Sequence, residues 1–415
     1  MTPPAADAGL PASTPVSSRS ILFVSPDREE SRLVQAGLAD MRPRWELECF
    51  EDPSRALERL RAQPVDAAVI DLLFPESAGV DLLRSIMESS PTTLRIGLSL
   101  SSARQAVQQV GAPVHQLLSK PCDPMVLKAV LARAFAAQDF VSHDAFQNWL
   151  ASITSLPVLP RIYNELMLEL KLEDCSLERA GLIVARDMGL SSKILQLVNS
   201  AFFGLGRAIG HPAEAAVFLG SETLRGLVLS LQVFSQFQQL KLVEFSVENL
   251  WTHSWTTGVL ARKLCEFEAA GRSITDEAFM SGLLHDVGKL VLAANFPVRL
   301  EENIRLARER QHTLWEQEFK VWGASHAELG AHLLSRWGLP PAVIEAVAFH
   351  HRPAQARCQT FCAVTAVHVA NTLGRPPAPL GQLPQQSVDL DYLRGLGLTD
   401  RLESWRQMLQ EASQR

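Results

Sequence analysis

Between positions 20 and 135 the apolar residues come in short runs: ILFV at 21–24, ELECF at 46–50, AAVIDL at 67–72, RIGLSL at 95–100 and HQLLSK at 115–120. Short runs alternating with amphipathic, helix-length segments predict strand–helix units, and hence a parallel sheet with helices on both faces. In such sheets function gathers at the carboxyl ends of the strands. Asp71 ends the AAVID run, Ser99 lies at the end of RIGLS and Lys120 closes HQLLSK, so all three are expected on one edge. From Asp144 onward the pattern changes. Val184, Leu190, Ile194, Leu195, Leu197 and Val198 recur at helical spacing, as do Leu224, Leu227, Val228 and Leu231, and they predict an all-α second half. The joint, LARAFAAQDFVSHDAFQNWL at 131–150, lacks Gly and Pro and reads as a stiff helix rather than a loose tether.

These shifts divide the chain into a disordered leader at 1–18, an α/β domain at 19–136, a helical linker at 137–151 and a helical domain at 152–375 with its core at 152–350. A Pro-rich stretch containing PPAPLGQLPQQ and a terminal helix from about Asp400 complete it over 376–415. A length of 415 residues exceeds what one hydrophobic core usually serves, which agrees with two domains.

Composition narrows the function classes. A formal charge of −6 and eight tryptophans without interleaved basic residues offer no footprint for nucleic acid, and none is expected as a partner. The leader has no cationic start before an apolar run, and stretches such as LRGLVLSLQVF are short and broken by polar residues, so neither a secretory signal nor a membrane span is expected. The six cysteines are scattered; only Cys358 and Cys362 are close, at a spacing typical of neither zinc ribbons nor redox motifs, and all six read as reduced core thiols of a cytoplasmic protein. Helix faces such as EENIRLARERQ read as solvated charge.

The α/β region resembles the response-regulator receiver family over about 115 residues, through Asp71 with Pro75 and Gly79 in DLLFPESAGVDLL, Ser99, and Lys120-Pro121. The resemblance implies a flavodoxin-like (βα)5 fold, with Asp71 the phosphoacceptor, Ser99 the switching hydroxyl and Lys120 the cation on the acyl phosphate. It also implies a two-component phosphorelay with a histidine kinase or other signalling protein upstream. A phosphoryl group brings nearly two negative charges, which a lysine and a hydroxyl capture. Receivers usually carry two adjacent acids after the first strand to hold Mg²⁺; here Ser25-Pro26-Asp27 stands there, leaving Asp27 as the Mg²⁺ candidate, displaced by one residue. Two readings stay open: a phosphorylatable receiver, and a pseudo-receiver serving for docking.

In the helical half, LPVLPRIYNEL, ARDMGLSSKILQLVNSAFFG, AVFLGSETLRGLVLS and HDVGKL occur in that order, and residues 152–350 resemble the HDOD family, a helical output domain related to HD and HD-GYP phosphohydrolases. In the LVNSAFFG stretch, Asn199-Ser200 with Gly204 and Gly206 read as a helix end and turn. His253, His285, Asp286, His326, His350, His351 and Asn371 are types that hold one or two transition metals, Fe, Mn or Zn, which activate water for attack on phosphorus. By resemblance His253, His285 and Asp286 match core HD ligands, His326, His350 and His351 match the further histidines of HD-GYP relatives, and Lys289 would face a substrate phosphate. Asn371 replaces the last core Asp, and RPAQARCQ stands where the GYP segment would be. The remaining histidines, His115, His143, His211, His312, His332 and His368, show no partner pattern and read as filler.

The expectation is therefore a signal-transduction regulator whose receiver-like input couples to an HDOD output acting by protein or ligand binding on a downstream regulatory protein, with little or no catalysis. The alternatives are a metal-dependent phosphohydrolase acting on a nucleotide or cyclic dinucleotide, and a scaffold with neither activity. A homodimer fits each.

Overall fold

The computed structural model describes residues 18–413, apart from 91–92, 101–113, 140–148, 151–152, 154–155, 158, 171, 173–174, 201–202, 204–206 and 375–382. The leader, most of the expected linker, His143, Gly204, Gly206 and most of the Pro-rich stretch lie outside the described residues.

The first domain runs β1 (Arg19–Val24), α1 (Arg28–Gly37), β2 (Trp45–Phe50), α2 (Pro53–Ala62), β3 (Ala67–Asp71), α3 (Ala78–Ser89), β4 (Leu94–Leu100), β5 (Gln116–Lys120) and α4 (Pro124–Asp139). Five parallel strands lie in the order β2-β1-β3-β4-β5. Successive side chains of a strand point to opposite faces. Ile21, Phe23, Val69, Ile96 and Leu98 therefore pack on one side with Leu127 and Leu131 of α4, whereas Leu22, Val24, Ala68 and Ile70 pack on the other with Leu83 and Ile86 of α3. A sheet covered on both faces explains why its strands read as unbroken apolar runs.

The second domain is helical: α5 (Arg161–Leu170), α6 (Leu177–Ala185), α7 (Met188–Val198), α8 (Pro212–Ser235), α9 (Val247–Phe267), α10 (Arg272–Leu284), α11 (Val287–Asn295), α12 (Pro297–Glu309), α13 (Leu314–Trp322), α14 (His326–Arg336), α15 (Pro341–Phe349), α16 (Ala363–Leu373), α17 (Leu390–Gly395) and α18 (Leu402–Ser413). Asn199 caps the end of α7, its amide bridging Leu195 O and Ile209 O at 2.8 Å each. Helix α8 bends at Gly220, whose φ of 76° is open to glycine and strained for other residues. Contrary to the reading of the apolar runs, α8 is long and apolar enough to cross a membrane by length and composition; 67% of its most apolar window is buried, and it serves as the domain's central helix. The terminal helix is tied down by Trp405, fully buried, whose indole N–H donates to Glu268 Oε1 at 2.8 Å.

The domains meet through α14. The Arg336 guanidinium at its end is fully buried, donates from Nε to His115 Nε2 at 3.3 Å and also bonds Thr93 O, while the Gln116 amide donates back to Arg336 O at 3.3 Å. His115 is thus no filler. It also bonds the Arg95 guanidinium at 3.1 Å, and burial beside Arg336 and Arg95 lowers its pKa well below the usual histidine range. Of the cysteines only Cys122 and Cys265 are core residues; Cys49, Cys358 and Cys362 are half-buried and Cys175 is exposed.

Candidate functional site

The receiver edge assembles as its strand ends dictate. Asp71 closes β3 opposite Leu98 in the register, Ser99 is the next residue of β4, buried and level with Ser119 of β5, and Lys120 closes β5. Asp71 Oδ1 accepts from Leu73 N at 2.8 Å, and its Oδ2 is bound by the Lys120 ammonium. The same ammonium lies 3.1 Å from Glu30 Oε2. Ser25 Oγ donates to Glu30 Oε2 at 2.8 Å and lies 3.4 Å from Asp71 Oδ2, and Cys122 N donates to Glu30 Oε1 at 3.0 Å. Burial would lower Lys120, but the Asp71 and Glu30 carboxylates outweigh it and hold its pKa above the ordinary lysine value.

Asp27 is placed differently from the expectation. Its Oδ1 accepts from Glu29 N at 2.9 Å and Glu30 N at 3.2 Å, so the carboxylate caps α1 and satisfies amides at its N-terminus. The second acid of the site is Glu30, which sequence reasoning missed. Its signal was an acid one turn beyond Ser25-Pro26-Asp27, on the face of α1 that also buries Ser31 and Val34.

The helical site is built by close helix crossings. A Cβ on Gly282 of α10 would stand 2.5 Å from the Cα of Gly258 in α9, so only a glycine pair lets His253 and His285 approach. A Cβ on Gly288 of α11 would stand 2.0 Å from His326 O, which presses α11 onto the head of α14 and sets Asp286 beside His326. His253 Nε2 lies 3.1 Å from His285 Nε2, and these nitrogens lie 3.6 and 3.3 Å from Asp286 Oδ2. The other carboxylate oxygen, Oδ1, lies 3.1 Å from His326 Nε2 and 3.8 Å from His350 Nε2; His326 and His351 meet Nε2 to Nε2 at 3.0 Å. Asp286 thus joins two ligand groups, one with His253 and His285, the other with His326, His350 and His351, and within each group the ligand atoms lie within 4.8 Å of one another.

The outer hydrogen bonds fix the rings. Nδ1 of His285 donates to Gly282 O at 2.8 Å, that of His350 to Val347 O at 2.7 Å, that of His326 to Glu318 Oε2 at 2.6 Å, and that of His351 to Gln386 Oε1. A proton committed outward on Nδ1 leaves a lone pair on Nε2. Four such Nε2 atoms converge on Asp286, although burial of the His326 ring is outweighed by the Glu318 and Asp286 carboxylates, which raise its pKa, and Asp286 Oδ1, His350 Nε2 and Asn371 Oδ1 are buried without a hydrogen-bond partner. This donor set fits a divalent transition metal, since soft-to-borderline ions take neutral imidazole and the orphaned atoms lack what an ion supplies. Burial, with the neighbouring imidazoles, keeps the His350 and His351 pKa values well below the usual histidine range, so both are neutral imidazoles. Burial would raise Asp286, but His285 and Lys289 outweigh it and hold the carboxyl well below its usual range.

Lys289 Nζ donates to Asp286 Oδ2 at 2.7 Å. Lys289, His326, His351 and Asn371 line a cavity of about 470 Å³ together with Arg308 and Trp315, the indole stacking on His351 at 5.6 Å. Glu318 and Gln386, which orient His326 and His351, were not among the sequence candidates. Glu318 sits eight residues before His326 in an ordinary amphipathic pattern, and Gln386 in a stretch read only as Pro-rich. His368, read as filler, is buried and donates from Nδ1 to His350 O at 2.8 Å, so it braces the paired histidines.

Residues 21–132 match the family model of the response regulator receiver domain, and residues 156–353 that of the HDOD domain. The chain is thus a fusion of a receiver domain and an HDOD domain, a combination of the signal-transduction kind. It is 28% identical over 236 residues, 56% of its length, to an uncharacterized protein of Treponema pallidum (strain Nichols), of which it spans 45%. Among solved structures it is similar to an HDOD domain protein of unknown function from Geobacter sulfurreducens, with a TM-score of 0.51 and 23% identity over 69% of this chain and 95% of that one. It is also similar to the signal receiver domain of an HD domain-containing protein from Pseudomonas fluorescens Pf-5, with a TM-score of 0.28 and 25% identity over 31% of this chain and 96% of that one.

Proposed function

We propose that this chain is a phosphorylation-responsive regulator whose HDOD domain holds a divalent transition metal, Fe, Mn or Zn, and through it binds a small anionic ligand, with little or no turnover. The observation that carries the reading is the inward convergence of four imidazole Nε2 atoms on one carboxylate. His285, Asp286, His326, His350 and His351 would hold the ion, with His253 and Asn371 at its margins. Lys289, paired with Asp286, and Arg308, paired with Glu244 at 2.8 Å, line the adjoining 470 Å³ cavity. A bound ion supplies Lewis acidity toward an anionic oxygen. The chain's own residues do the rest: Glu318 and Gln386 orient imidazoles, and Trp315 shields the His351 ring from water.

The single inner carboxylate favours binding over hydrolysis, because the charge of a hydrolytic ion pair has little to offset it. Asp286 does present its two oxygens to different imidazole groups, which is the feature favouring a phosphohydrolase as the second reading. On the input side, Asp71 is the phosphoacceptor, Ser99 and Lys120 receive the phosphoryl group, and Glu30 in place of Asp27 supplies the second carboxylate for Mg²⁺. A histidine kinase or another signalling protein would act upstream, and a regulatory protein downstream.

The test is metal analysis of protein purified without chelator, followed by a multiple-turnover assay on bis(p-nitrophenyl) phosphate. Stoichiometric metal with no turnover is the expected result. Metal-free protein that also takes up none of Fe, Mn or Zn sinks the reading, and turnover abolished by Asp286→Ala replaces it with the phosphohydrolase.

A further inference from the structure

Cys358 and Cys362 belong to neither site described above, yet the fold brings both thiols to one pair of hydroxyls. Gln359 and Thr360 between them are exposed, while both cysteines are half-buried. Cys358 Sγ lies 3.8 Å from Tyr392 Oη, Cys362 Sγ lies 3.7 Å from Thr365 Oγ1, and these two hydroxyls share a 2.7 Å hydrogen bond. Each thiol also acts directly on the other. The contact with Cys358 lowers the Cys362 pKa to about 6, assisted by the backbone amides of Thr365 and Val364, and the same contact raises that of Cys358. The amides are there because Cys362 is the N-cap of α16, an 11-residue helix. Such a helix head favours the thiolate.

We infer that Cys358 and Cys362 form a redox-active dithiol that closes to an intramolecular disulfide when a hydroperoxide reaches it. The Cys362 thiolate attacks the distal peroxide oxygen, the O–O bond breaks, and the displaced hydroxide takes up a proton as water; Cys362 is then a sulfenic acid. Cys358 attacks that sulfur, the S–O bond breaks, the proton of the Cys358 thiol goes to the departing hydroxide, and a second water leaves. Two thiols and one hydrogen peroxide thus give one disulfide and two waters. The pair is asymmetric in the required way, a thiolate at the helix head and a resolving thiol one short loop away. It has a direct structural address, because α16 carries His368, which braces His350, and Asn371, which lines the cavity. The inference stands independently of whether that site holds metal.

The experiment treats the full chain with hydrogen peroxide, blocks remaining thiols with iodoacetamide and maps the cysteines by mass spectrometry, with dithiothreitol reversal. The expected result is a Cys358–Cys362 link, a loss of two hydrogens, with the other four cysteines alkylated. Cys358→Ser should stop at a dimedone-trapped sulfenic acid on Cys362, and Cys362→Ser should show neither product. Should either variant fail to fold, the untreated wild-type chain gives a second measure: Cys362 alkylation titrating near pH 6, against about 8.5 for an ordinary thiol. Both thiols surviving peroxide, pairing with Cys175 or Cys49, or a Cys362 midpoint near that of an ordinary thiol overturns the inference.

Discussion

The two sites solve opposite charge problems. At the receiver edge one ammonium, Lys120, serves two carboxylates, Asp71 and Glu30, with Ser25 donating to Glu30. In the helical domain one inner carboxylate, Asp286, faces five imidazoles and Lys289. The receiver edge ties its acids to Lys120 and leaves one negative charge over. The helical site directs the Nδ1 protons of His285, His326, His350 and His351 outward and brings the Nε2 atoms of His326 and His351 to 3.0 Å, with three buried polar atoms unpartnered. Buried acceptors without donors carry a desolvation cost of about 1–3 kcal/mol each. A folded protein retains such a cost where a water or a ligand offsets it. On the proposed reading the receiver edge acts through a change of charge, and the helical donor set is one that a divalent cation would fit.

Removing the shared carboxylate is the sharpest way to break that contrast. Asp286→Ala should lower metal affinity by about two orders of magnitude or more, about 3 kcal/mol, read by metal content and competition with a chromophoric chelator. If Asp286→Ala retains wild-type affinity, the imidazoles alone hold the ion and the contrast fails. Next in size is Gly288→Ala, which forces a methyl to within 2.0 Å of His326 O; overpacking of this kind costs about 1–3 kcal/mol and should lower both melting temperature and metal uptake. Glu30→Gln is smaller and probes the other site. It should cut Mg²⁺-dependent acetyl phosphate labelling of Asp71 roughly tenfold, about 1.4 kcal/mol, measured by intact mass, whereas Asp27→Asn, which acts only on the helix cap, should leave labelling near wild type.

The contrast also marks how far residue order reaches. Strand ends were legible because a parallel sheet stacks them by register, so Asp71, Ser99 and Lys120 needed only the period of the apolar runs. The imidazole set was legible from its order along the chain. Glu30, Glu318 and Gln386 were not, since each is an ordinary polar residue whose partner is set by a contact 92, 8 or 35 positions away. Asp27 misled for a related reason: an acid at the start of a helix answers local amides before it answers a distant ion. The thiol pair illustrates the same limit, because Cys358 and Cys362 meet through a loop and a helix cap rather than through a motif.

The smallest effect concerns the joint between the two sites. Helix α14 begins with His326 at the candidate metal centre and ends with Arg336, whose guanidinium binds Thr93 O and His115 at the amino ends of the receiver strands. Helix α4, which follows Lys120 by a few residues, packs on α14. A rigid helix of 11 residues thus has one end on each domain. Arg336→Met keeps the buried stem and removes the hydrogen bonds, each worth about 1 kcal/mol. Calorimetry of the wild type should show the domains unfolding in one transition, and Arg336→Met should split or broaden it while metal content is retained. A variant that unfolds as one unit and keeps its metal content would show that Arg336 does not join the domains.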